Sequence, residues 1–159
     1  MSIRNSYNFL EISPFVTTSG VVGAGRILGL AAEGYQLLIN LLPDDNEHAV
    51  PGERALVESQ GVAYAYVPVD FMRPTLADYQ QFCEIMDANT ERKTHIHCAA
   101  NWRVSAFYGL YAEQRGLWTQ ASTDALIAGL WEPQQFPPWM ALMAAIRRPR
   151  SAPEITNPG

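Results

Sequence analysis

Short apolar runs alternate with amphipathic stretches along the chain, and this alternation restricts the fold more than any other feature of the sequence. Four runs rich in β-branched, aromatic or leucine side chains have the length of strands: 8–13, 35–42, 62–69 and 94–97. Segments with apolar residues at helical spacing are predicted as helices: 27–31, 53–60, 75–89, the stretch after Cys98 up to Gly116, 123–131 and 137–148. Such alternation is typical of an α/β layer structure with a buried parallel sheet.

The size and composition of the chain indicate one domain. Its 159 residues, 48% hydrophobic and 17% charged, are enough to bury a core without a disulfide or metal staple. We therefore predict a single domain over residues 1–150, with residues 151–159 as a disordered tail.

The charge balance and the cysteine count exclude several classes of function. With a net charge of −5 and only 11 basic residues, the chain is a poor partner for nucleic acid or an anionic membrane. No apolar run approaches the ~20 residues needed to span a bilayer, and the N-terminus lacks the apolar core of a signal peptide. Two cysteines make no disulfide framework, so we expect a reduced, cytoplasmic protein with neither metal nor cofactor.

The stretch HIHCAANWRVSAF (95–107) places Cys98 between a predicted strand and a predicted helix. In parallel α/β folds anions bind at this junction, because unpaired N–H groups of the first helical turn point at it. A cysteine there is favoured as the thiolate. Arg103, one turn into the helix, could fold back and hold two oxygens of a phosphate. We therefore predict that Cys98 is a nucleophile and that Arg103 and the amides of 99–103 bind an oxyanion.

Four other side chains have a candidate role in the site or in the core. Asp70 follows a predicted strand and could protonate a leaving group, or it could be a turn aspartate. Ser105 could donate a hydrogen bond to the thiolate or cap the helix. His97 is interpreted as a hydrogen-bonded interior histidine, and Cys83, on the apolar face of a helix, as a core residue.

The segment HCAANWRVS resembles the signature of the cysteine-dependent protein tyrosine and dual-specificity phosphatases, which is His-Cys, five residues, Arg, then Ser or Thr. The blocks SPFVTTSG, EGYQLLINLLPDD and GVAYAYVPVDFMRPTLADYQQF resemble a small bacterial phosphatase-like family that also occurs fused to β-lactamase-like hydrolases. This resemblance implies a central four- or five-stranded, mostly parallel sheet flanked by helices. It also implies that Cys98 is the nucleophile and Arg103 the phosphate ligand. Asp70 would be the candidate general acid, and Ser105 the hydroxyl residue after the signature.

The loop is one residue shorter than that signature. Between Cys98 and Arg103 the signature has five residues, and this chain has four: Ala99, Ala100, Asn101 and Trp102. The loop contains no glycine, and only Asn101 tolerates a positive φ well. Trp102 and Phe71 could form walls of the pocket.

A six-residue loop from cysteine to arginine is also found in the rhodanese sulfurtransferases, whose cysteine carries sulfur as a persulfide. The sequence therefore leaves three functions open: a phosphatase with a phosphocysteine intermediate, a sulfurtransferase with a Cys98 persulfide, and a non-catalytic module that binds an anion. The expected partner is a phosphate-containing or other oxyanion small molecule, or a phosphoprotein.

Overall fold

A five-stranded sheet forms the centre of the protein, which we describe from a computed structural model that covers residues 2–148. The strands are β1 Leu10–Glu11, β2 Val16–Ser19, β3 Leu37–Asn40, β4 Ala63–Tyr66 and β5 Thr94–His97. They lie in the order β1-β2-β5-β3-β4. The β1 and β2 strands pair antiparallel, and all other pairs are parallel. The predicted mostly parallel sheet is confirmed, and β5, which leads to Cys98, is its central strand.

Helices cover both faces of the sheet, which confirms the predicted three-layer α/β fold. They are α1 Ala24–Ile27, α2 Glu53–Glu58, α3 Leu76–Ala88, α4 Trp102–Gln114, α5 Gln120–Ala128 and α6 Pro137–Arg147. One core, which includes Ile27 and Val57, lies between the sheet and α1 and α2. The larger core lies on the other face and includes Phe82, Phe107 and Trp139 from α3, α4 and α6. The long helices therefore share a single apolar layer.

Strand β2 is the element that the sequence pattern does not predict. Three of its four side chains, those of Thr17, Thr18 and Ser19, are polar and nevertheless buried. The hydroxyls of Thr17 and Ser19 hydrogen-bond to His95 on the neighbouring strand. Thr18 accepts a hydrogen bond from Asn101, 83 positions away. The strand can bury polar side chains because residues in distant parts of the chain form hydrogen bonds with their hydroxyls. Its sequence therefore lacks the hydrophobic alternation by which a strand is recognised.

Two predictions concern the ends of the chain. The predicted disordered tail, 151–159, lies outside the described residues, and the single-domain boundary at residue 150 stays a prediction. The aromatic residues Trp131 and Trp139 are 5% and 0% exposed, so the segment 131–139 packs against the core. Within residues 2–148, no helix is both long enough and apolar enough to cross a membrane.

Buried His95 makes the stability of the fold depend on pH. Ser19 Oγ donates to Gly20 O at 2.8 Å and therefore accepts from His95 Nε2, so Thr17 Oγ1 donates to Nδ1 of a neutral ring. Burial, and secondarily the charge of His97, lowers the pKa of His95 well below 6.5. Below about pH 6.5 the unfolded chain takes up a proton that the folded protein excludes, so folding becomes less favourable.

We therefore expect the unfolding free energy to fall by up to about 1.4 kcal/mol per pH unit in this acidic range. Urea unfolding between pH 7.5 and about pH 5 measures the slope. His95→Gln should flatten it, and His48→Gln, at an exposed loop position, should leave it unchanged. An equal slope in wild type and His95→Gln would contradict the assignment.

Candidate active site

Cys98 lies at the carboxyl end of the central strand, directly before helix α4. Strands β2 and β3 pair with β5 on either side, so the cysteine is flanked by two parallel neighbours. The Cys98 amide donates to Ser19 O at 3.3 Å, and the residue is 0% exposed. The structure therefore places the predicted nucleophile where a parallel sheet binds ligands, at the bottom of a closed loop.

The carbonyl groups of the loop all have partners that hold them. Ala99 O accepts from Val21 N and Asn101 O from Ser105 N, both at 2.9 Å. Ala100 O accepts from the side-chain amide of Asn8, also at 2.9 Å. The Cys98 carbonyl lies 3.2 Å from Nδ1 of the preceding His97.

The amide N–H groups of the same segment are free. Within residues 2–148, no acceptor is hydrogen-bonded to the backbone N–H groups of 99–104. In a trans peptide the C=O group and the N–H group of the next residue point in opposite directions. A carbonyl group held by a hydrogen bond therefore turns the N–H group of the same peptide away from that partner. These amides also begin α4, whose dipole places partial positive charge at this end. The loop thus has the form of a cradle whose free N–H groups suit an anion.

Asn101 supplies the backbone turn that closes this cradle. Its φ of 69° is left-handed, and Trp102 follows as the first residue of α4. The prediction that Asn101 is the loop residue suited to positive φ is confirmed. Its side chain donates to Asn8 O and Thr18 Oγ1, so the asparagine is 0% exposed and held on both sides.

Arg103 is a buried cation that has no carboxylate partner in the part of the chain that the structure describes. It is 8% exposed, and its Nε donates to Val69 O at 2.8 Å. Its guanidinium carbon lies 5.3 Å from the centre of the Phe71 ring. Among the ion pairs of residues 2–148, none involves Arg103. A buried arginine is rarely left without a counter-charge, so this one is suited to an anionic ligand.

Asp70 lies next to the residue that holds Arg103. Its side chain is exposed, and Oδ1 accepts from Met72 N at 3.0 Å in a local turn. Strand β3 separates β4 from β5, so the Asp70 loop does not follow the strand next to Cys98. The loop still reaches the site, because Val69 hydrogen-bonds to both Leu41 and Arg103. Both interpretations of Asp70, turn residue and proton donor, are compatible with this position.

Ser105 is held inside the helix. Its hydroxyl donates to Trp102 O at 2.9 Å and accepts from the Trp131 indole at 3.1 Å. These hydrogen bonds connect the first turn of α4 to the C-terminal aromatic residues. None of its hydrogen bonds within the described part of the chain goes to Cys98.

An aromatic cluster lies beside Arg103. Phe71 and Trp102, the two walls suggested by the sequence, have ring centres 5.8 Å apart. Trp131 stacks on Trp102 at 5.5 Å with an interplanar angle of 5°, and Phe136 and Trp139 pack on Phe71. No sequence motif assigns these C-terminal residues to the site, because their one common feature is an aromatic side chain.

His97 is part of a buried polar network behind the loop. Its Nε2 lies 2.7 Å from Glu53 Oε2, and the two side chains are 2% and 5% exposed. Glu53 also accepts from the Tyr64 hydroxyl at 3.2 Å, and Tyr64 accepts from Asn40. Both ring nitrogens of His97 therefore lie within hydrogen-bond distance of an oxygen atom, the Cys98 carbonyl and the Glu53 carboxyl group. The interpretation of His97 as a hydrogen-bonded interior histidine is confirmed, and Glu53 is a partner that the sequence did not indicate.

Gly20 lets β2 approach the cysteine loop closely. A Cβ atom at this position would lie 2.4 Å from Ala99 O and 2.8 Å from Ala100 Cα, both backbone atoms. We expect Gly20→Ala to displace the loop and to lower the unfolding free energy by about 1–3 kcal/mol, measured by urea unfolding. Gly129→Ala is the control, because its Cβ would meet neighbours only at 3.6 Å. Equal stability of the two variants would show that the loop can move aside without cost.

The described residues offer no set of metal ligands. Within 2–148, no group of three or more His, Cys, Asp or Glu side chains is placed to hold a metal ion. The groups that remain for a ligand are the loop amides and the Arg103 guanidinium, and both bind anions.

Comparison with known proteins identifies the relatives of this chain. No protein-family model matches it. A "Beta-lactamase hydrolase-like protein" from Xylella fastidiosa is 32% identical over 120 residues, which are 74% of this chain and 28% of that protein. The chain therefore spans about a quarter of the length of this curated relative.

Solved structures match over nearly the whole chain. The structure described as "Putative phosphatase (DUF442)" from Shewanella putrefaciens CN-32 is 30% identical, with a TM-score of 0.82 and coverage of 91% of both chains. The P. aeruginosa protein TpbA, also solved as a variant in complex with pTyr, shares the fold at 17% identity and a TM-score of 0.68, over 87% of this chain and 84% of its own. The chain therefore belongs to the phosphatase-like family of the Shewanella DUF442 protein and has the protein tyrosine phosphatase-like fold.

Proposed function

We propose that the protein is a cysteine-dependent phosphatase that hydrolyses phosphoric monoesters through a phosphocysteine intermediate. The observation that carries this proposal is a set of donors after Cys98: the amides of 99–104, which have no acceptor within residues 2–148, and the buried guanidinium of Arg103, whose Nε alone is hydrogen-bonded there. These groups would bind the three non-bridging oxygens of a phosphoryl group and stabilise the charge that gathers on them during transfer.

The reaction would proceed in two steps. The Cys98 thiolate attacks phosphorus, a sulfur–phosphorus bond forms, and the ester oxygen leaves with a proton from Asp70. Water then attacks phosphorus, Asp70 accepts its proton, and the thiolate is released with inorganic phosphate. Asp70 suits both roles because its exposed carboxylate lies next to Val69, which holds Arg103.

Supporting roles follow for the rest of the loop. Residues 99–102 would bind the phosphoryl oxygens through their amides, while their side chains shape the loop. Ser105 would keep the first turn of α4 in place through Trp102 and Trp131 rather than touch the substrate. Phe71 and Trp102 would line the approach to Arg103. The substrate would be a phosphate-containing small molecule or a phosphoprotein, and the pTyr complex of TpbA is one example on this fold.

Two measurements test the proposal. Inorganic phosphate should shift the NMR signals of the 99–104 amides, and wild-type protein should hydrolyse an aryl phosphate in the steady state. Asp70→Asn should lower the turnover rate about 100- to 10,000-fold and change its pH profile while leaving phosphate binding intact. Asp45→Asn, at an exposed loop position, is the control. Phosphate binding without turnover would leave the protein as an anion-binding module, and absence of both would overturn the proposal.

Sulfur transfer is the second candidate, and one observation favours it. Cys98 is 0% exposed and begins a loop of only six residues, and so short a loop suits a sulfur atom better than a tetrahedral phosphoryl group. Thiosulfate would pass its outer sulfur to the Cys98 thiolate and release sulfite, and cyanide would remove that sulfur as thiocyanate. Formation of thiocyanate by a protein that does not hydrolyse aryl phosphates would favour this function.

A further inference from the structure

Asn8 and Asn101 hold each other in an uncommon conformation. Among residues 2–148 they are the only non-glycine residues with positive φ, 52° and 69°. Asn8 Nδ2 donates to Ala100 O, and Asn101 Nδ2 donates to Asn8 O, both at 2.9 Å. We call this reciprocal pair of hydrogen bonds the asparagine clasp. It joins the turn before β1 to the loop that carries Cys98.

The clasp acts on one peptide plane. Asn8 holds the carbonyl of Ala100, and the N–H of Asn101 belongs to the same peptide, so it must point away from Asn8. Without the Asn8 donor, this peptide could rotate and present its carbonyl oxygen to the anion site. A carbonyl dipole in that place repels an oxyanion, whereas the N–H group binds it. Val21 holds the neighbouring Ala99 carbonyl in the same way, but with a backbone amide that only proline would remove.

Positive φ at Asn8 is explained by the same contact. A non-glycine residue in the left-handed region carries a backbone cost, which persists where the surrounding structure determines it. Here the left-handed turn presents both the side-chain amide and the carbonyl of Asn8 to the loop. Asn is among the residues that tolerate this conformation best.

We propose that Asn8 is a positioning residue of the active site, which acts through the clasp to keep the Asn101 amide turned toward the bound oxyanion. The inference rests on the proposed function, since it assigns Asn8 to the oxyanion loop. Asn8 itself would not touch the substrate.

Two variants of Asn8 separate its side chain from its backbone. Asn8→Gly keeps the positive φ at no steric cost and removes the amide donor. Asn8→Asp keeps the size but places a carboxylate against the Ala100 carbonyl. The control is Asn46→Gly, because Asn46 Oδ1 accepts a hydrogen bond from His48 N within its own loop. Each protein is tested for phosphate affinity by amide NMR shifts and for hydrogen exchange of the Val21 and Ser105 amides, which donate to the loop carbonyls of Ala99 and Asn101.

We expect both Asn8 variants to bind inorganic phosphate about 5- to 10-fold more weakly than wild type, which is the loss of one hydrogen bond. The Val21 and Ser105 amides, which hold the loop carbonyls, should exchange faster even without phosphate, and Asn46→Gly should match wild type in both measurements. Unchanged affinity and exchange in Asn8→Gly would overturn the clasp and leave the proposed function standing.

The exchange measurement keeps the two proposals distinguishable. If wild-type protein does not bind phosphate, the proposed function fails, and faster exchange of the Val21 and Ser105 amides in the Asn8 variants alone would still support the clasp. Unchanged exchange would then overturn the clasp as well. Global unfolding of both Asn8 variants would also overturn the clasp proposal, because Asn8 would then be required for the stability of the whole fold and not for the position of the cysteine loop.

Discussion

Replacing Cys98 with serine is expected to reduce aryl phosphate hydrolysis at least about 1000-fold, because a serine hydroxyl is not ionised near neutral pH. The rest of the cradle is unchanged by this substitution. The unpaired amides of 99–104 and the Arg103 guanidinium remain, so inorganic phosphate should bind within a few-fold of wild-type affinity. Steady-state kinetics and amide NMR titration measure the two effects separately.

The second cysteine is a matched control for this variant. Cys83 lies on the apolar face of α3 and is 6% exposed. Burial raises the pKa of its thiol, which makes it a poor nucleophile, and Cys83→Ser should therefore keep full turnover. If Cys98→Ser retained wild-type hydrolysis, or if Cys83→Ser alone lost it, Cys98 would not be the nucleophile. Thiocyanate formation, lost only in Cys98→Ser, would assign the same cysteine to sulfur transfer.

Removing the carboxylate of Glu53 should have the largest effect on stability. Its partner His97 is 2% exposed, so Glu53→Ala would leave a buried ring nitrogen without an acceptor. Breaking a buried pair in this way costs about 3–5 kcal/mol, which is a large part of the stability of a domain of this size. Glu53→Gln keeps an acceptor oxygen in place and should lose less. Urea unfolding at neutral pH measures both variants.

Helix α2 also provides the control for Glu53. Glu58, on the same helix, forms an exposed ion pair with Arg54 at 3.2 Å. Exposed pairs of this kind contribute about 0–1 kcal/mol, so Glu58→Ala should be almost neutral. If Glu53→Ala were as mild as Glu58→Ala, the hydrogen bond between Glu53 and His97 would not hold the strand that leads to Cys98.

The central part of the site could be predicted because its signals are local. Cys98, Asn101 and Arg103 lie within six consecutive residues, between a β-rich run and an amphipathic helix. That context indicates an anion-binding loop. A tight anion-binding loop usually needs one residue with positive φ. Because these six residues include no glycine, Asn101 is the residue suited to that conformation. The structure confirms the positive φ of Asn101 and the burial of Cys98 and Arg103, and the roles of these two residues stay predictions.

The residues that support the loop could not be predicted, because their partners are far away in sequence. Asn8 contacts Ala100 across 92 positions, and Glu53 contacts His97 across 44. Neither residue belongs to a periodic pattern, and each would suit an exposed loop or helix equally well. Strand β2 was missed for the same reason, since its buried hydroxyls find their acceptors and donors only in the folded sheet.

The central position of β5 also determines when the site can form. Strand β5 fills the gap between β2 and β3, yet it is the last strand along the chain. A nascent chain that ends before residue 94 would expose two unpaired strand edges, which invite association with other chains. Pairing with β2 closes a loop of more than 70 residues, a slow kind of contact. Completion of the sheet and assembly of the cysteine loop are therefore one late event in folding, and refolding followed by sheet formation should coincide with recovery of anion binding.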